Sequence, residues 1–287
     1  MARVAGLSVR DLRVKAYELR QEVIEMIYQG GSGHPGGALS VAEIVVALYW
    51  HALRVDPARP DWDDRDRLVL SKGHAAPIVY AALAHRGYFG REHLRTLRKL
   101  DSILQGHPDC RKTPGVDMTS GSLGQGLSIA LGMALGGMQA NSPFHVYCLL
   151  SDGETQEGMV WEAAMAASHY QTGNLTALVD RNNLQVDGWV HEVMGIEPYR
   201  DKWRAFGWEV VEVDGHDLPG LITALDQGRQ PRRHPLVLIC QTVKGKGVSF
   251  MENVMEWHAN PIDRPVYTQA MTELAHTLEK LRGVSQG

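Results

Sequence analysis

Five short runs of strand-forming residues, most of them separated by longer helical stretches, constrain the fold of this chain more than any other feature of its sequence. The runs cover residues 67–70, 145–150, 175–180, 209–213 and 236–241. Strands that alternate with helices form parallel sheets, because each crossover helix returns the chain to the same end of the sheet. The sequence therefore predicts an α/β fold, in which helices flank a doubly wound, mostly parallel sheet.

The first helix carries its own start signal. Ser8 is followed three residues later by Asp11, which resembles a capping box, and apolar residues then recur at steps of three and four. This pattern predicts a helix over residues 9–29. No internal repeat or Gly/Ser linker interrupts the chain, so we expect one domain over residues 1–265 and a helical tail over residues 266–287.

Composition excludes several classes of partner. The 287 residues carry a net charge of −4, so no strongly basic field attracts nucleic acid. The longest apolar runs are far shorter than the roughly 20 residues that span a bilayer, and the N-terminus lacks the pattern of a secretory signal. We therefore expect a cytoplasmic protein without a nucleic-acid or membrane partner. Cys110, Cys148 and Cys240 are widely spaced and odd in number, and two of them lie in apolar strand-like runs, which favours reduced, buried thiols over a disulfide or a thiolate metal site.

Polar or glycine-rich loops follow four of the five predicted strands. Ligands of open α/β sheets bind beyond the carboxyl ends of the strands, so these loops can meet at one site. Any single loop is equally well an ordinary turn, since Gly, Asn and Asp are common turn residues. Four such loops together favour a binding site, and they begin at residues 71, 151, 180 and 242.

Two of these loops contain residues suited to a magnesium-bound diphosphate. Mg²⁺ prefers oxygen ligands, and Asp152 and Asn182 offer a carboxylate and an amide oxygen. Gly153 allows close approach of a phosphate, and a helix expected to begin near Glu157 would direct amide groups at negative charge. The spacing alone does not distinguish a diphosphate cofactor from a nucleotide.

Other phosphate and metal motifs are absent or out of context. Gly31, Gly33 and Gly36 match G-x-G-x-x-G, but they follow a predicted helix where the dinucleotide fingerprint requires a strand. Lys246 is followed by Gly247 rather than Ser or Thr, which excludes a P-loop. The histidines lack the tight spacing of a zinc site.

Several motifs together resemble those of one family. SDG at 151–153 with NN at 182–183 resembles the thiamine diphosphate motif, usually written GDG followed by NN, with Ser151 in place of the first Gly. Further matches narrow the resemblance to transketolase, and it extends over about residues 10–262. They are SGHPGG at 32–37, GHPD at 106–109, GSLGQGLS at 121–128 and VDGHD at 213–217.

The resemblance implies thiamine diphosphate and Mg²⁺ as cofactors and assigns residues to them. The implied metal ligands are Asp152, Asn182 and the carbonyl of Leu184. The implied cofactor-binding residues are His74, Ser122, Leu123, Gly124, Asp152, Gly153, Glu154 and Asn182.

The resemblance also implies catalytic residues. His34, His107 and His258 would face the sugar, where imidazole can exchange protons with hydroxyl groups near neutral pH. Glu157 would support the site and contact the catalytic glutamate of a partner. By contrast, Asp217 is expected only to cap the helix that begins near Leu218.

Full-length transketolases continue into a pyrimidine-binding domain and a C-terminal domain that this sequence does not contain. The resemblance therefore implies the N-terminal subunit of a split transketolase, which moves a two-carbon ketol unit from a ketose, such as a ketose phosphate, to an aldose. It would act only with a separate C-terminal subunit, as a heterotetramer. Three alternatives are the α subunit of a 2-oxo-acid dehydrogenase, a deoxyxylulose-phosphate synthase and a non-catalytic binding subunit. The sequence does not identify the sugar.

Overall fold

The computed structural model describes residues 7–283 and contains a parallel sheet of five strands. The strands are β1 (Arg67–Leu70), β2 (Val146–Ser151), β3 (Leu175–Arg181), β4 (Glu209–Asp214) and β5 (Leu236–Gln241). Their order across the sheet is β1-β2-β3-β5-β4, and every neighbouring pair is parallel. The predicted α/β fold is confirmed, and each predicted strand agrees with the structure to within one residue at either end.

Helices cover both faces of this sheet. They are α1 (Val9–Gly30), α2 (Pro35–Leu39), α3 (Ala42–Ala47), α4 (Ala76–Arg86), α5 (Gln125–Gln139), α6 (Gly158–His169), α7 (Val190–Val193), α8 (Tyr199–Ala205), α9 (Leu218–Gly228) and α10 (Arg264–Arg282). A π-helical turn, Leu48–Ala52, continues α3, and short 3₁₀ turns occupy Gly73–Ala75, Arg91–Thr96, Gly153–Gln156 and Met255–His258.

Side chains that alternate along each strand divide the core into two layers. In β2, Tyr147 and Leu149 pack with residues of α1, α3, α4 and α9, whereas Cys148 and Leu150 pack with residues of α5, α6 and α8. This alternation follows from the two-residue repeat of a strand. Both faces of a parallel sheet need such cover, and four of the five strands are largely buried, whereas the edge strand β4 alternates between exposed and half-buried residues.

Helix α1 begins and ends as its sequence predicts. The Oγ atom of Ser8 accepts a hydrogen bond from the Asp11 amide at 3.2 Å, and the Asp11 carboxylate accepts one from the Ser8 amide at 3.1 Å. Gly31 then ends the helix with a φ of 69°, a left-handed conformation that favours glycine. The chain turns at this point into the histidine-containing segment that begins at residue 32.

Helix α10 packs against α1 and buries Ala270, Leu274 and Leu278. It begins two residues before the expected start of the tail, and residues 284–287 of that tail lie outside the described residues. Cys148 and Cys240 are buried in the sheet, whereas Cys110 is exposed. Within residues 7–283, no helix combines the length and the apolar character needed to cross a membrane.

Candidate functional site

The loops that follow β1, β3 and β5 converge on the buried carboxylate of Asp180, near the end of β3. Asp180 accepts hydrogen bonds from Lys72 Nζ at 2.5 Å, Ser40 Oγ at 2.7 Å, Asn182 Nδ2 at 2.8 Å and Thr242 Oγ1. Burial alone would raise the pKa of Asp180, but the Lys72 ammonium and these donors hold it below its usual value. Asp180 therefore remains ionised and fixes the loops relative to one another.

The three predicted metal ligands lie together at this edge of the sheet. Asp152 accepts hydrogen bonds from the amides of Gly153 at 2.8 Å and Asn183 at 2.6 Å, which joins the end of β2 to the end of β3. The side-chain oxygen of Asn182 accepts a hydrogen bond from the Leu184 amide at 3.1 Å. One carboxylate, one amide oxygen and one backbone carbonyl are thus gathered in a single network.

This group of oxygens is suited to a hard cation such as Mg²⁺. Burial, and then repulsion by Asp180, raise the pKa of Asp152 to about 6, against the opposing effect of two backbone donors. A cation beside Asp152 would relieve that repulsion. Among residues 7–283, no group of three or more His, Cys, Asp or Glu residues is arranged to hold a metal ion.

Four of the predicted histidines form a cluster beside these oxygens. The ring of His34 lies 5.5 Å from His74, 6.0 Å from His107 and 5.5 Å from His258, measured between centroids. The rings of His74 and His258 are 5.2 Å apart. The Nδ1 atom of His34 is buried and has no hydrogen-bond partner in the described part of the chain. Such an atom is available to a ligand.

The histidines of this cluster are held in the neutral form. Burial, together with nearby cations, lowers the pKa of His34 to about 4 and that of His258 to about 3. The same effects lower the pKa of His74 well below its usual value and lower that of the more exposed His107. A neutral imidazole has one donor and one acceptor nitrogen, so each ring can both give and receive a hydrogen bond.

Lys244 lies between the oxygens and the histidines, and sequence reasoning missed it. Its Nζ atom donates a hydrogen bond to the Leu184 carbonyl at 2.8 Å and lies 2.9 Å from Nδ1 of His258. Burial, and then repulsion by Lys72, lower the pKa of Lys244 to about 8. The glycine-rich sequence after β5 indicated that this loop belongs to the site, but nothing in the sequence shows that Lys244 rather than Lys246 reaches the histidines.

A cavity of about 640 Å³ opens beside His107. Arg98, Asp109, Lys112 and Ser120 contribute to its lining. Because the ring of His107 lies next to that of His34, the cavity extends from the histidine cluster. This volume falls in the range of ordinary small-molecule sites.

The segment before α5 brings another group of predicted residues to the site. Ser122 and Leu123 are exposed, whereas Gly124 is buried with a φ of 85°. A Cβ atom at Gly124 would lie 2.6 Å from the Cβ atom of Glu157, which immediately precedes α6 and is itself exposed. Only glycine fits this close, left-handed approach.

Glu154 is buried and links three loops. Its carboxylate accepts hydrogen bonds from the Gly124 amide at 2.9 Å, the Ser151 amide at 3.1 Å and the Ser71 hydroxyl. Glu154 was predicted to bind the cofactor, but both of its carboxylate oxygens already accept hydrogen bonds from within the chain. Burial raises the pKa of Glu154 despite these donors.

The fold and this site define a doubly wound α/β domain with a group of carboxylate, amide and carbonyl oxygens and a histidine cluster at the carboxyl edge of its sheet. The family model for the thiamine diphosphate binding domain of transketolase matches residues 12–280. The chain therefore belongs to the transketolase family and corresponds to its N-terminal, cofactor-binding part.

Two similar proteins are described as single subunits of transketolases. A 6-deoxy-6-sulfo-D-fructose transketolase subunit from a Clostridium species is 44% identical over 264 residues, which are 92% of this chain and 96% of that protein. One subunit of an apulose-4-phosphate transketolase from Phocaeicola vulgatus is 38% identical over 98% of this chain and 100% of that protein.

Solved structures of transketolases share the fold. That of Campylobacter jejuni transketolase superposes with a TM-score of 0.88 at 32% identity, covering 94% of this chain and 43% of that one. A Leishmania mexicana transketolase has a TM-score of 0.84 at 26% identity and is covered over 45% of its length. This chain thus spans less than half the length of these transketolases.

Proposed function

We propose that this chain is the thiamine diphosphate-binding subunit of a split transketolase that transfers a two-carbon ketol unit from a ketose to an aldose. The observation that carries the proposal is the position of the Asp152, Asn182 and Leu184 oxygens directly beside four neutral histidines. Subunits of similar length among the relatives support the division into two chains. No feature of the described residues favours a 2-oxo-acid dehydrogenase, a deoxyxylulose-phosphate synthase or a non-catalytic subunit.

The oxygens of Asp152, Asn182 and Leu184 would hold Mg²⁺, and the loops around His74, Ser122, Leu123, Gly124 and Gly153 would hold the cofactor. When bound, thiamine diphosphate supplies a carbon nucleophile and an electron sink for breaking a bond beside a carbonyl. Glu154 would act by positioning Gly124 and Ser151, because its own oxygens are occupied.

The neutral histidines would bind the sugar and move its protons. His34, His107 and His258 lie in one cluster, their low pKa values keep each ring neutral at neutral pH, and His34 retains a buried nitrogen without a partner. Such a nitrogen can take a proton from a sugar hydroxyl and return it. The unpartnered Nδ1 of His34 supports this role most directly.

A separate C-terminal subunit would cover exposed apolar side chains along α5 and α6 and supply the carboxylate that activates the cofactor, close to Glu157. These exposed side chains belong to α5, α6 and the segments next to them, and large exposed apolar patches mark protein interfaces. A twofold heterotetramer would close such interfaces. The side chains are Leu123, Ile129, Met138, Met159, Met165 and Tyr170.

The substrates would be a ketose donor and an aldose acceptor. The two relatives are named for sugars that carry a sulfonate or a phosphate. We propose an anionic sugar of one of these two kinds as the donor of the present enzyme.

The test is to assay ketol transfer with the purified chain over a wide range of concentrations and then with a co-expressed C-terminal subunit. We expect turnover only in the mixture. Asp152→Ala should abolish Mg²⁺-dependent binding of thiamine diphosphate in a calorimetric titration, because it removes the only carboxylate among the proposed ligands. Asp187→Ala, an exposed change in the loop after β3, is the matched control and should bind normally.

Two results would contradict the proposal. Robust turnover by this chain alone, proportional to its concentration, would refute the division into two subunits. Unchanged cofactor affinity in the Asp152→Ala variant would refute the metal site.

A further inference from the structure

The VDGHD motif at the end of β4 packs directly on the loop after β5, which covers residues 242–247. A Cβ atom at Gly215 would lie 2.4 Å from Cγ2 of Thr242, so only a glycine allows this close approach. The carboxylate of Asp214 accepts a hydrogen bond from the His216 amide at 2.8 Å, which fixes the turn. The side chain of His216 is thereby brought against the loop after β5.

One ring nitrogen of His216 accepts a hydrogen bond from a donor that has no alternative role. The amide of Val243 donates to Nε2 of His216 at 3.0 Å. A backbone amide is always a donor, so Nε2 carries a lone pair and the ring hydrogen is on Nδ1. That Nδ1 atom donates to the carboxylate of Glu43 at 2.9 Å. A hydrogen on Nε2 would set two donors against each other.

Glu43 is itself held by a buried arginine. Arg20 is fully buried and donates to both oxygens of Glu43, at 2.6 and 2.7 Å. Although burial opposes ionisation, Arg20 and His216 lower the pKa of Glu43 to about 2, so it is an acceptor throughout the neutral range. Arg20 also contacts the far end of the loop, since a Cβ atom at Gly247 would lie 3.0 Å from its Cδ atom. The same pair thus supports the loop at both ends.

The loop after β5 meets both parts of the candidate site. The Nζ atom of Lys244 lies 2.8 Å from the Leu184 carbonyl. The amide of Gly245 donates to the carbonyl of Gly36 at 3.0 Å, in the segment that also carries His34. A displacement of the loop would therefore disturb the oxygens and the histidine segment together.

We propose that His216 is a positioning residue, which as the Nδ1–H tautomer connects the Val243 amide to the buried Glu43 and so holds the loop after β5 at the site. The residue touches neither the oxygens nor the histidine cluster, and it acts only through the loop. The tautomer and the hold on the loop do not depend on the proposed function. The effect on cofactor binding rests on that proposal.

The first test is nuclear magnetic resonance of the full chain with ¹⁵N-labelled histidine, because the shifts of the two ring nitrogens report which one carries the hydrogen. His216→Leu identifies the signals of His216 by their loss. In the wild-type chain at neutral pH, we expect a protonated Nδ1 and an unprotonated Nε2. In His216→Leu, hydrogen exchange of the Val243 amide should be about tenfold faster or more, because the amide has lost its acceptor. Exchange at Leu238, inside β5, should not change.

The second test measures Mg²⁺-dependent binding of thiamine diphosphate by calorimetry. His216→Leu should weaken binding by about tenfold or more, because it leaves the Val243 amide without an acceptor. His216→Gln keeps one acceptor and one donor on its side chain and should restore the affinity to within about threefold. The matched control is His51→Leu, which removes another histidine in contact with a carboxylate, that of Asp226 at 3.0 Å, but outside the loop. It should leave both Val243 exchange and cofactor affinity unchanged.

Three results would overturn the proposal. A wild-type His216 with its hydrogen on Nε2 would do so even if no variant folded. A folded His216→Leu chain with unchanged Val243 exchange would contradict the hold on the loop, and unchanged cofactor affinity in that chain would contradict the positioning role. A wild-type chain that shows the expected signals but binds no thiamine diphosphate would refute the proposed function while leaving the hold on the loop intact.

Discussion

Replacing both members of the Lys72–Asp180 pair should cost much less stability than the sum of the two single replacements. The Nζ and Oδ2 atoms are 2.5 Å apart, and both side chains are fully buried. Removing one partner of a buried pair leaves an uncompensated charge, which costs about 3–5 kcal/mol. Removing both charges leaves no uncompensated charge, although Ser40, Asn182 and Thr242 still lose the carboxylate that accepts their hydrogen bonds.

The hydrogen bonds that each partner keeps determine which of the two single replacements should cost more free energy of unfolding. In Lys72→Met, Asp180 keeps the donors Ser40, Asn182 and Thr242, so we expect a loss of about 3 kcal/mol. In Asp180→Asn, Lys72 keeps the Gly37 carbonyl at 2.8 Å as its acceptor, so we expect about 5 kcal/mol. The double replacement should cost about 5 kcal/mol, which corresponds to a coupling energy of about 3 kcal/mol.

The assay is urea unfolding of the four chains at neutral pH, followed by circular dichroism. Because the pKa of Asp180 lies below its usual value, the stabilising charge is present throughout the neutral range and is lost only as the pH falls through that low value. The exposed pair of Arg200 and Glu212, 3.2 Å apart, is the control and should show a coupling below about 1 kcal/mol. If the free-energy loss of the Lys72/Asp180 double variant equals the sum of the two single losses, the reasoning is refuted.

The remaining predictions concern a glycine and a buried histidine, and both are measured by the same unfolding assay. Gly124→Ala should destabilise the chain by about 1–3 kcal/mol, because Gly124 has a positive φ and a Cβ atom there would meet Glu157. The control, Gly132→Ala at an exposed position in α5, should stabilise the chain by about 0.5–1 kcal/mol. Effects of equal sign at the two positions would contradict this explanation. Burial lowers the pKa of His145 to about 3, so the folded chain favours its neutral form. The stability that this preference provides is fully present above about pH 6.5 and is lost as the pH falls towards 3. Between about pH 6.5 and 5 this residue should account for a loss of about 2 kcal/mol, and His145→Gln should show a correspondingly weaker dependence on pH; an unchanged dependence would disprove it.

Local signals in the sequence were sufficient to predict the α1 helix, the start of α9 and the strands. The capping box at Ser8 and the apolar spacing that follows it predict α1 to within one residue at its end. Asp217 accepts a hydrogen bond from the Gly220 amide and starts α9 at Leu218, as predicted. Caps and strand runs depend on neighbours within a few residues, which is why they are readable before the structure is known.

The candidate residues of the site could also be identified from the sequence, because the members of a short motif are close together in the chain. SDG begins at the last residue of β2 and NN follows β3, and these neighbouring parallel strands bring Asp152 and Asn182 to the same edge of the sheet. The individual roles of these residues remain predictions. Nothing in the sequence indicates that Glu154 has both oxygens occupied, since its partners at residues 71 and 124 are distant in the chain.

The α/β class, the position of each strand and the family of the cofactor-binding domain all follow from the amino-acid sequence alone. The position of β5 between β3 and β4 does not, and it is this order that brings the loop after β5 to the loops after β1 and β3. The folded chain likewise places Asp180 at the centre of the site and turns Lys244, rather than Lys246, towards the histidines. Burial, charge pairing and the order of strands depend on contacts between distant residues, and two lysines in the same loop acquire different chemistry only when those contacts form.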